Sequence, residues 1–272
     1  MKTTLTIIIL ILLALSQADA QLVQADGLYG GDIRCITSSN NGYLFAGTSS
    51  GGIFRSTNGG DTWTAVNNGM TFRTILTLTS IENRIYAGTL AEGVFRSTNN
   101  GNDWVQVNSG LTNKNVSALV GEGSTMYAGT RYGGVANGIY RSTDAGDSWS
   151  PVSTGLNVPD IITLASSGQT LYAGTVNGVY KVTNTGTNWK MENIGLLNTE
   201  VWSFVMYDGL AIYAGTYGGG VYLTMDDGAT WTNVTTGMNN LNVRSLLRVE
   251  STIYAGTFGG GIFSIDNASS EW

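Results

Sequence analysis

Apolar residues along this chain fall in short runs and show no long 3.6-residue period. From Val116 to Val152 the runs are VSALV (116–120), MYAGT (126–130), GIYRST (138–143) and WSPV (149–152), rich in β-branched and aromatic residues and separated by Gly, Asn, Asp and Ser. Runs of this kind, bounded by turn formers, predict four strands in a little over forty residues. The lack of a helical apolar period argues against helix. An all-β chain is expected.

The pattern repeats. Ala-Gly-Thr begins at Ala46, Ala87, Ala128, Ala173, Ala214 and Ala255, at intervals of 41, 41, 45, 41 and 41 residues, and Trp63, Trp104, Trp149, Trp189, Trp231 and Trp272 keep nearly the same beat. A unit of this length with four antiparallel strands is the measure of a propeller blade, whereas solenoids of similar period are mostly helical. The last unit stops at Trp272, where other copies continue into an outer strand such as WVQVNSGL (104–111). QLVQADGL (21–28) aligns on the missing piece, with Gly27 in the slot of Gly110. The expected fold is therefore a six-bladed β-propeller of four-stranded antiparallel blades. Leu22 to Gln24 should lie beside Ile262 and Phe263 and complete the last blade, leaving no unpaired edge at either end.

The first twenty residues change the compartment. Lys2, the apolar run from Leu5 to Leu15 and Ala18-Asp19-Ala20 follow the order of a secretory signal. Residues 21–272 are then a single propeller domain, secreted or periplasmic. The run is shorter than the roughly 18 apolar residues of a membrane span, so no membrane insertion is expected. A net charge of −6 argues against nucleic acid or anionic lipid as a partner. The chain has no histidine, which removes the commonest general base and zinc ligand. No cofactor and no metal are expected, and a monomer is. Cys35 has no internal partner and alternates with Ile33 in a strand-like stretch, so it is expected to be a buried small hydrophobe.

One turn recurs before each tryptophan. It carries Ser56, Asn58, Gly60 and Trp63; Ser97, Asn99, Gly101 and Trp104; Ser142, Asp144, Gly146 and Trp149; Asn184, Gly186 and Trp189; Thr224, Asp226, Gly228 and Trp231; and, with one residue more, Asp266 and Trp272. An Asn or Asp side chain accepts backbone N–H groups in such a turn, Gly supplies a positive φ, and Trp covers the hairpin as part of a self-contained clip. This pattern resembles the Asp-box, or BNR, repeat. In the families that carry it the motif is structural, on propellers of sialidases, xyloglucan-cleaving glycosidases, sortilin-like receptors and a photosystem II assembly factor. The resemblance implies the fold and, since one architecture hosts many activities, says little about the task.

In an up-and-down blade the clip lies at the opposite end from the loops joining strands two and three and from the links between blades. The sialidase resemblance also implies a site on that open face. Most aromatics are repeat residues, but Tyr29, Phe72, Tyr132, Tyr217 and Phe258 fall in open-face loops, where they could stack on a ligand or fold over neighbouring loops. The residue before each inner strand is polar: Asp32, Thr74, Asn115, Asp160, Glu200 and Asn242. Arg34, Trp202 and Arg244 follow three of these, and Arg73 and Arg131 lie in nearby loops. Such a ring could bind a polar ligand or supply the two carboxylates of a glycosidase, while ordinary solvated strand ends account for the same residues. Calcium held by Asp32, Asp160 and Glu200 lacks a local ligand spacing. RYGGVANG (131–138) is the one long insertion, whereas Arg55, Arg96 and Arg141 recur in the third strands and belong to the repeat.

Two functions follow. The first is a non-catalytic propeller that binds a protein or glycan through its open face. The second is a glycoside hydrolase, sialidase-like or xyloglucanase-like, using open-face carboxylates; the sialidase Arg-Ile-Pro segment is absent and the only prolines are Pro151 and Pro159. Asn115, Asn233 and Asn267 begin triplets that accept N-glycans in hosts that glycosylate them.

Overall fold

The computed structural model describes residues 27–29, 32–133, 137–157, 160–183, 188–207, 211–266 and 271–272. Six antiparallel sheets follow one another in sequence as the six blades of a propeller. Blades 1 to 5 have four strands in chain order; blade 6 shows three, Val243–Val249, Thr252–Thr257 and Gly261–Asp266. The inner strands are Ile33–Ser38, Ile75–Ile81, Val116–Glu122, Ile161–Ser167, Val201–Tyr207 and Val243–Val249. Residues 1–26 and the assigned closing strand Leu22–Gln24 lie outside the described residues.

The Ala-Gly-Thr repeat has three separate jobs. Its alanines are fully buried in the second strand, as at Ala46, Ala87 and Ala128. Its glycines let the next blade approach: a Cβ on Gly47 would sit 2.6 Å from Ile75 Cγ2, and one on Gly129 would sit 2.5 Å from Ile161 Cγ2. Its threonines close the following loop, Thr48 Oγ1 donating to the Gly52 carbonyl and Thr130 Oγ1 to that of Gly138. These side chains give the wedge between blades its packing, where Ile75, Val116, Ile161 and Val201 are fully buried.

The recurring turn is built as the residues dictate. Ser142 Oγ donates to Asp144 Oδ1 at 2.7 Å and accepts the Gly146 N–H at 2.8 Å, while Asp144 accepts the backbone and hydroxyl of Ser148 at 2.9 and 2.5 Å. Asn58, Asn99 and Asp226 take the same place in their blades. Asn184 and Gly186 lie outside the described residues. Asp266 is corrected: it pairs with Thr252 as a strand residue, opposite the position that Thr183 takes against Thr170, so the extra residue before Trp272 moves it out of the turn.

The tryptophan also departs from the self-contained clip. Trp149 donates its indole N–H to the Val107 carbonyl and its backbone N–H to that of Ser109, both on the outer segment of the preceding blade. Trp104, Trp189, Trp231 and Trp272 repeat both bonds on the blade before them. Trp63 instead turns its indole N–H to Gly60 within its own turn. The spacing could not show this, because periodicity carries no information about which neighbour a ring faces. Third-strand cations reach the other way: Arg55 donates to the Asn100 carbonyl, and Arg96 to the Ala145 carbonyl and the Asp147 carboxylate, on the next turn round the ring.

Gly27 reproduces a contact of this series. A Cβ on it would meet the Trp63 carbonyl at 2.3 Å, as one on Gly69 would meet Trp104 and one on Gly110 would meet Trp149. The register expected of the leading segment thus holds at Gly27. The joint between blades 6 and 1 is more open: Ile33 and Ile262 are 47% and 65% exposed, whereas their counterparts Ile75 and Val221 are fully buried.

Two outcomes test this construction. Trp149→Phe leaves the Val107 carbonyl without its partner in a dry joint and should lower unfolding free energy by about 1–3 kcal/mol, read as a lower midpoint in urea. Hydrogen bonds from Ser148, then from Ser142, bring Asp144 down to about 2, and those from Thr230 and Thr224 do the same for Asp226. A depressed folded value stabilises above the unfolded value of about 3.9 and loses that contribution as pH falls towards 2. Asp144→Asn with Asp226→Asn, mimicking Asn58 and Asn99, should therefore fold and flatten the melting-temperature decline between about pH 4 and 2.

Candidate functional site

The pairing of every inner strand with its neighbour slips at one residue. The register passes from Ile33 to Cys35, from Ile75 to Thr77, from Val116 to Ala118, from Ile161 to Thr163, from Val201 to Ser203 and from Val243 to Ser245. Each blade thus has a bulge, at Arg34, Leu76, Ser117, Ile162, Trp202 and Arg244 in turn. A bulge bends its strand and re-aims a side chain, and here all six bulged residues line one cavity of about 540 Å³. Asp32, Ile33, Cys35, Thr77, Arg131, Thr163 and Phe258 complete the wall. Every blade contributes, so the cavity is the open-face mouth of the central channel.

Aromatic rings hold the basic side chains. The Arg244 guanidinium lies 3.8 Å from the centre of the Trp202 ring, 5.1 Å from Phe258 and 6.0 Å from Tyr217. Arg131 lies 4.4 Å from the centre of the Tyr132 ring. Contacts of this kind engage the face of a guanidinium and leave its planar N–H edge for a ligand. No ion pair among the described residues involves Arg34, Arg131 or Arg244. The Arg131 Nε is shielded from solvent without a hydrogen-bond partner. Desolvation lowers the Arg131 pKa, and Arg34 and Arg244 act in the same direction against the opposing pull of Tyr132 and Asp160.

The carboxylates are differently occupied. Asp160 Oδ1 accepts the Tyr132 N–H at 3.0 Å and the Asn137 amide at 2.5 Å, tying down the loop that bears Arg131. Tyr132 sits there at φ 60°, an uncommon conformation for a bulky side chain. Glu200 Oε1 accepts the Trp202 indole N–H at 3.1 Å. Among the described residues, no three His, Cys, Asp or Glu side chains gather as a metal site. Burial pushes the Cys35 thiol up to about 12, so it stays protonated at neutral pH.

The structure thus sorts the residues singled out by sequence. Arg34, Arg131, Trp202, Arg244, Phe258 and Asp32 share the cavity wall, with Tyr132, Tyr217, Asp160 and Glu200 attached to it. Tyr29 packs edge-on against Phe54 at 4.8 Å, and neither it nor Phe72 or Arg73 lines the cavity. Of the polar residues preceding the inner strands, Asp32 alone lines it; the carbonyls of Asp32, Thr74, Asn115, Glu200 and Asn242 all accept N–H groups from adjacent loops. Leu76, Ser117 and Ile162 escaped notice because they read as ordinary strand residues. Their signal is positional: each is the second residue of an inner strand.

No protein-family model matches this chain, and no curated protein is similar to it in sequence. Solved structures are similar in fold. An ancestral GH74 enzyme superposes with a TM-score of 0.71 at 20% identity over 88% of this chain and 37% of its own length. The extracellular domain of a one-component system from B. thetaiotaomicron gives 0.70 at 17% over 89% of this chain and 34% of its own. YCF48 from Cyanidioschyzon merolae gives 0.67 at 13% over 92% and 86%. The chain spans about a third of the length of the first two. These similarities concern the propeller, which enzymes and non-enzymes share.

Asp160→Ala removes the acceptor that holds Tyr132 and should cost about 1–3 kcal/mol. Amide exchange at Tyr132 should accelerate selectively; an unchanged rate there would show that Asp160 does not fix the loop.

Proposed function

We propose that this protein is a secreted, non-catalytic propeller that captures a ligand at the open-face mouth of its channel. One observation carries the reading: six bulges deliver their side chains to a single cavity whose guanidinium groups have no ion-pair partner among the described residues. Exposed Tyr132, Tyr217 and Phe258 give its rim apolar contact area. Export rests on the signal-like residues 1–20, and the expected partner is a protein or a glycan met by a monomer.

Structural neighbours supply precedents of both kinds. YCF48 has been solved bound to a D1 peptide, and similar structures include extracellular domains of putative one-component and hybrid two-component systems. A GH74 xyloglucanase and an ancestral GH74 enzyme are the precedents for hydrolysis. Against that second reading, Asp160 is engaged by two donors in the neighbouring loop and Glu200 by the Trp202 indole.

Tyr217→Ala with Phe258→Ala should abolish retention of ligand from the native envelope while leaving thermal unfolding unchanged. Met225→Ala, on the exposed clip turn, should retain as wild type does. Hydrolysis of xyloglucan or sialyl substrates that disappears in Glu200→Gln would replace this reading with the enzymatic one.

A further inference from the structure

The mouth has an unequal inventory of donors and acceptors. Arg34, Arg131 and Arg244 bring guanidinium groups from blades 1, 3 and 6, while Leu76, Ile162 and Trp202 bring apolar surface from blades 2, 4 and 5. Around them one oxygen each of Asp160 and Glu200 and three asparagine amides are engaged, and the wall itself adds the hydroxyls of Thr77, Ser117 and Thr163. Asp160 and Glu200 are bonded as described, Asn113 Oδ1 accepts the Asn115 N–H, Asn198 Oδ1 that of Glu200, and Asn240 Oδ1 that of Asn242. Asp32 is the one carboxylate on the wall itself.

A sugar presents many hydroxyl donors and needs acceptors in return. A carboxylate presents acceptors only, and a planar guanidinium edge matches it with two parallel bonds. Three cations crowded into one cavity also repel one another, a cost that an anion removes. The cavity lies in the size range of small-ligand sites. All six blades contribute to its lining.

Resting on the open-face reading above, we propose that the mouth binds a carboxylate carried on an apolar, hydroxyl-free body, with Arg131 and Arg244 as its principal donors and Arg34 beside them. A free small acid and the C-terminal residue of a polypeptide share this chemistry. The bulges make the assignment specific to this chain, since other residue types at the same six positions would give a different mouth on the same ring.

Calorimetric titration of the full chain tests it with four probes: 4-methylpentanoate, N-acetyl-Gly-Gly-Leu as the free acid, the same peptide as its C-terminal amide, and glucuronate. The expected result is saturable binding of one or both of the first two, with the amide and glucuronate at least tenfold weaker. Preference between the first two identifies the source. Arg131→Gln and Arg244→Gln should each weaken binding tenfold or more at unchanged melting temperature, and Arg244→Lys should not restore it, because an ammonium cannot reproduce the planar edge. Equal binding of acid and amide, tighter binding of glucuronate, or wild-type affinity in both glutamine variants would overturn the proposal. If neither acid binds while Tyr217 and Phe258 still govern retention of the envelope ligand, the carboxylate assignment falls and the open-face reading stands.

Discussion

The propeller depends on the hydrogen bonds with which a tryptophan fastens each of blades 2 to 6 to the one before it. An isolated four-stranded blade buries little, and its faces are covered only by neighbours. Trp104, Trp149, Trp189, Trp231 and Trp272 place a large ring in each joint and satisfy an outer-segment carbonyl there with an indole N–H. In a joint emptied of water such a carbonyl would otherwise carry its full desolvation cost. The neighbouring turn exists to aim that ring. Its Asn or Asp, bonded back to the fourth residue onward, fixes the chain reversal immediately before the tryptophan.

Close packing at the axis imposes a second constraint, and the site grows out of it. Glycine in the second strand lets the next inner strand approach within van der Waals reach. An inner strand that ran straight would alternate its side chains between the two flanking blades. The bulge breaks that alternation once per blade and sends one side chain into the mouth. The scaffold therefore fixes six positions and leaves their chemistry open. In this chain they are two arginines, one tryptophan, one serine, one leucine and one isoleucine.

The fold was readable from sequence because a propeller writes itself six times, and two markers with the same spacing leave few other architectures. The clip residues were readable for the same reason, as their geometry is local: Ser142, Asp144 and Gly146 bond within five residues of one another. Trp149 reads from sequence as part of a self-contained clip, whereas its partner, Val107, is 42 residues away. The site was partly legible. Arg34, Trp202 and Arg244 stand out as unusual residue types after the polar position, whereas of the polar positions themselves only Asp32 lines the wall. A bulge has no composition of its own, so Leu76, Ser117 and Ile162 could not be separated from ordinary strand residues without coordinates.

Charge is unevenly distributed between the mouth and the rest of the chain. The chain carries −6 overall, yet its channel mouth presents three guanidinium groups against one wall carboxylate. Beyond about 10 Å at moderate salt, individual charges are largely screened, and the remaining field of the molecule disfavours anions. Nucleic acids and other polyanions must bring many charges against that field and can seat few of them. A ligand with a single terminal anion meets little repulsion on approach and encounters the guanidinium groups only once inside. On the proposed reading the acidic exterior and the basic mouth would act together, one rejecting extended anionic chains and the other retaining the end of a small one.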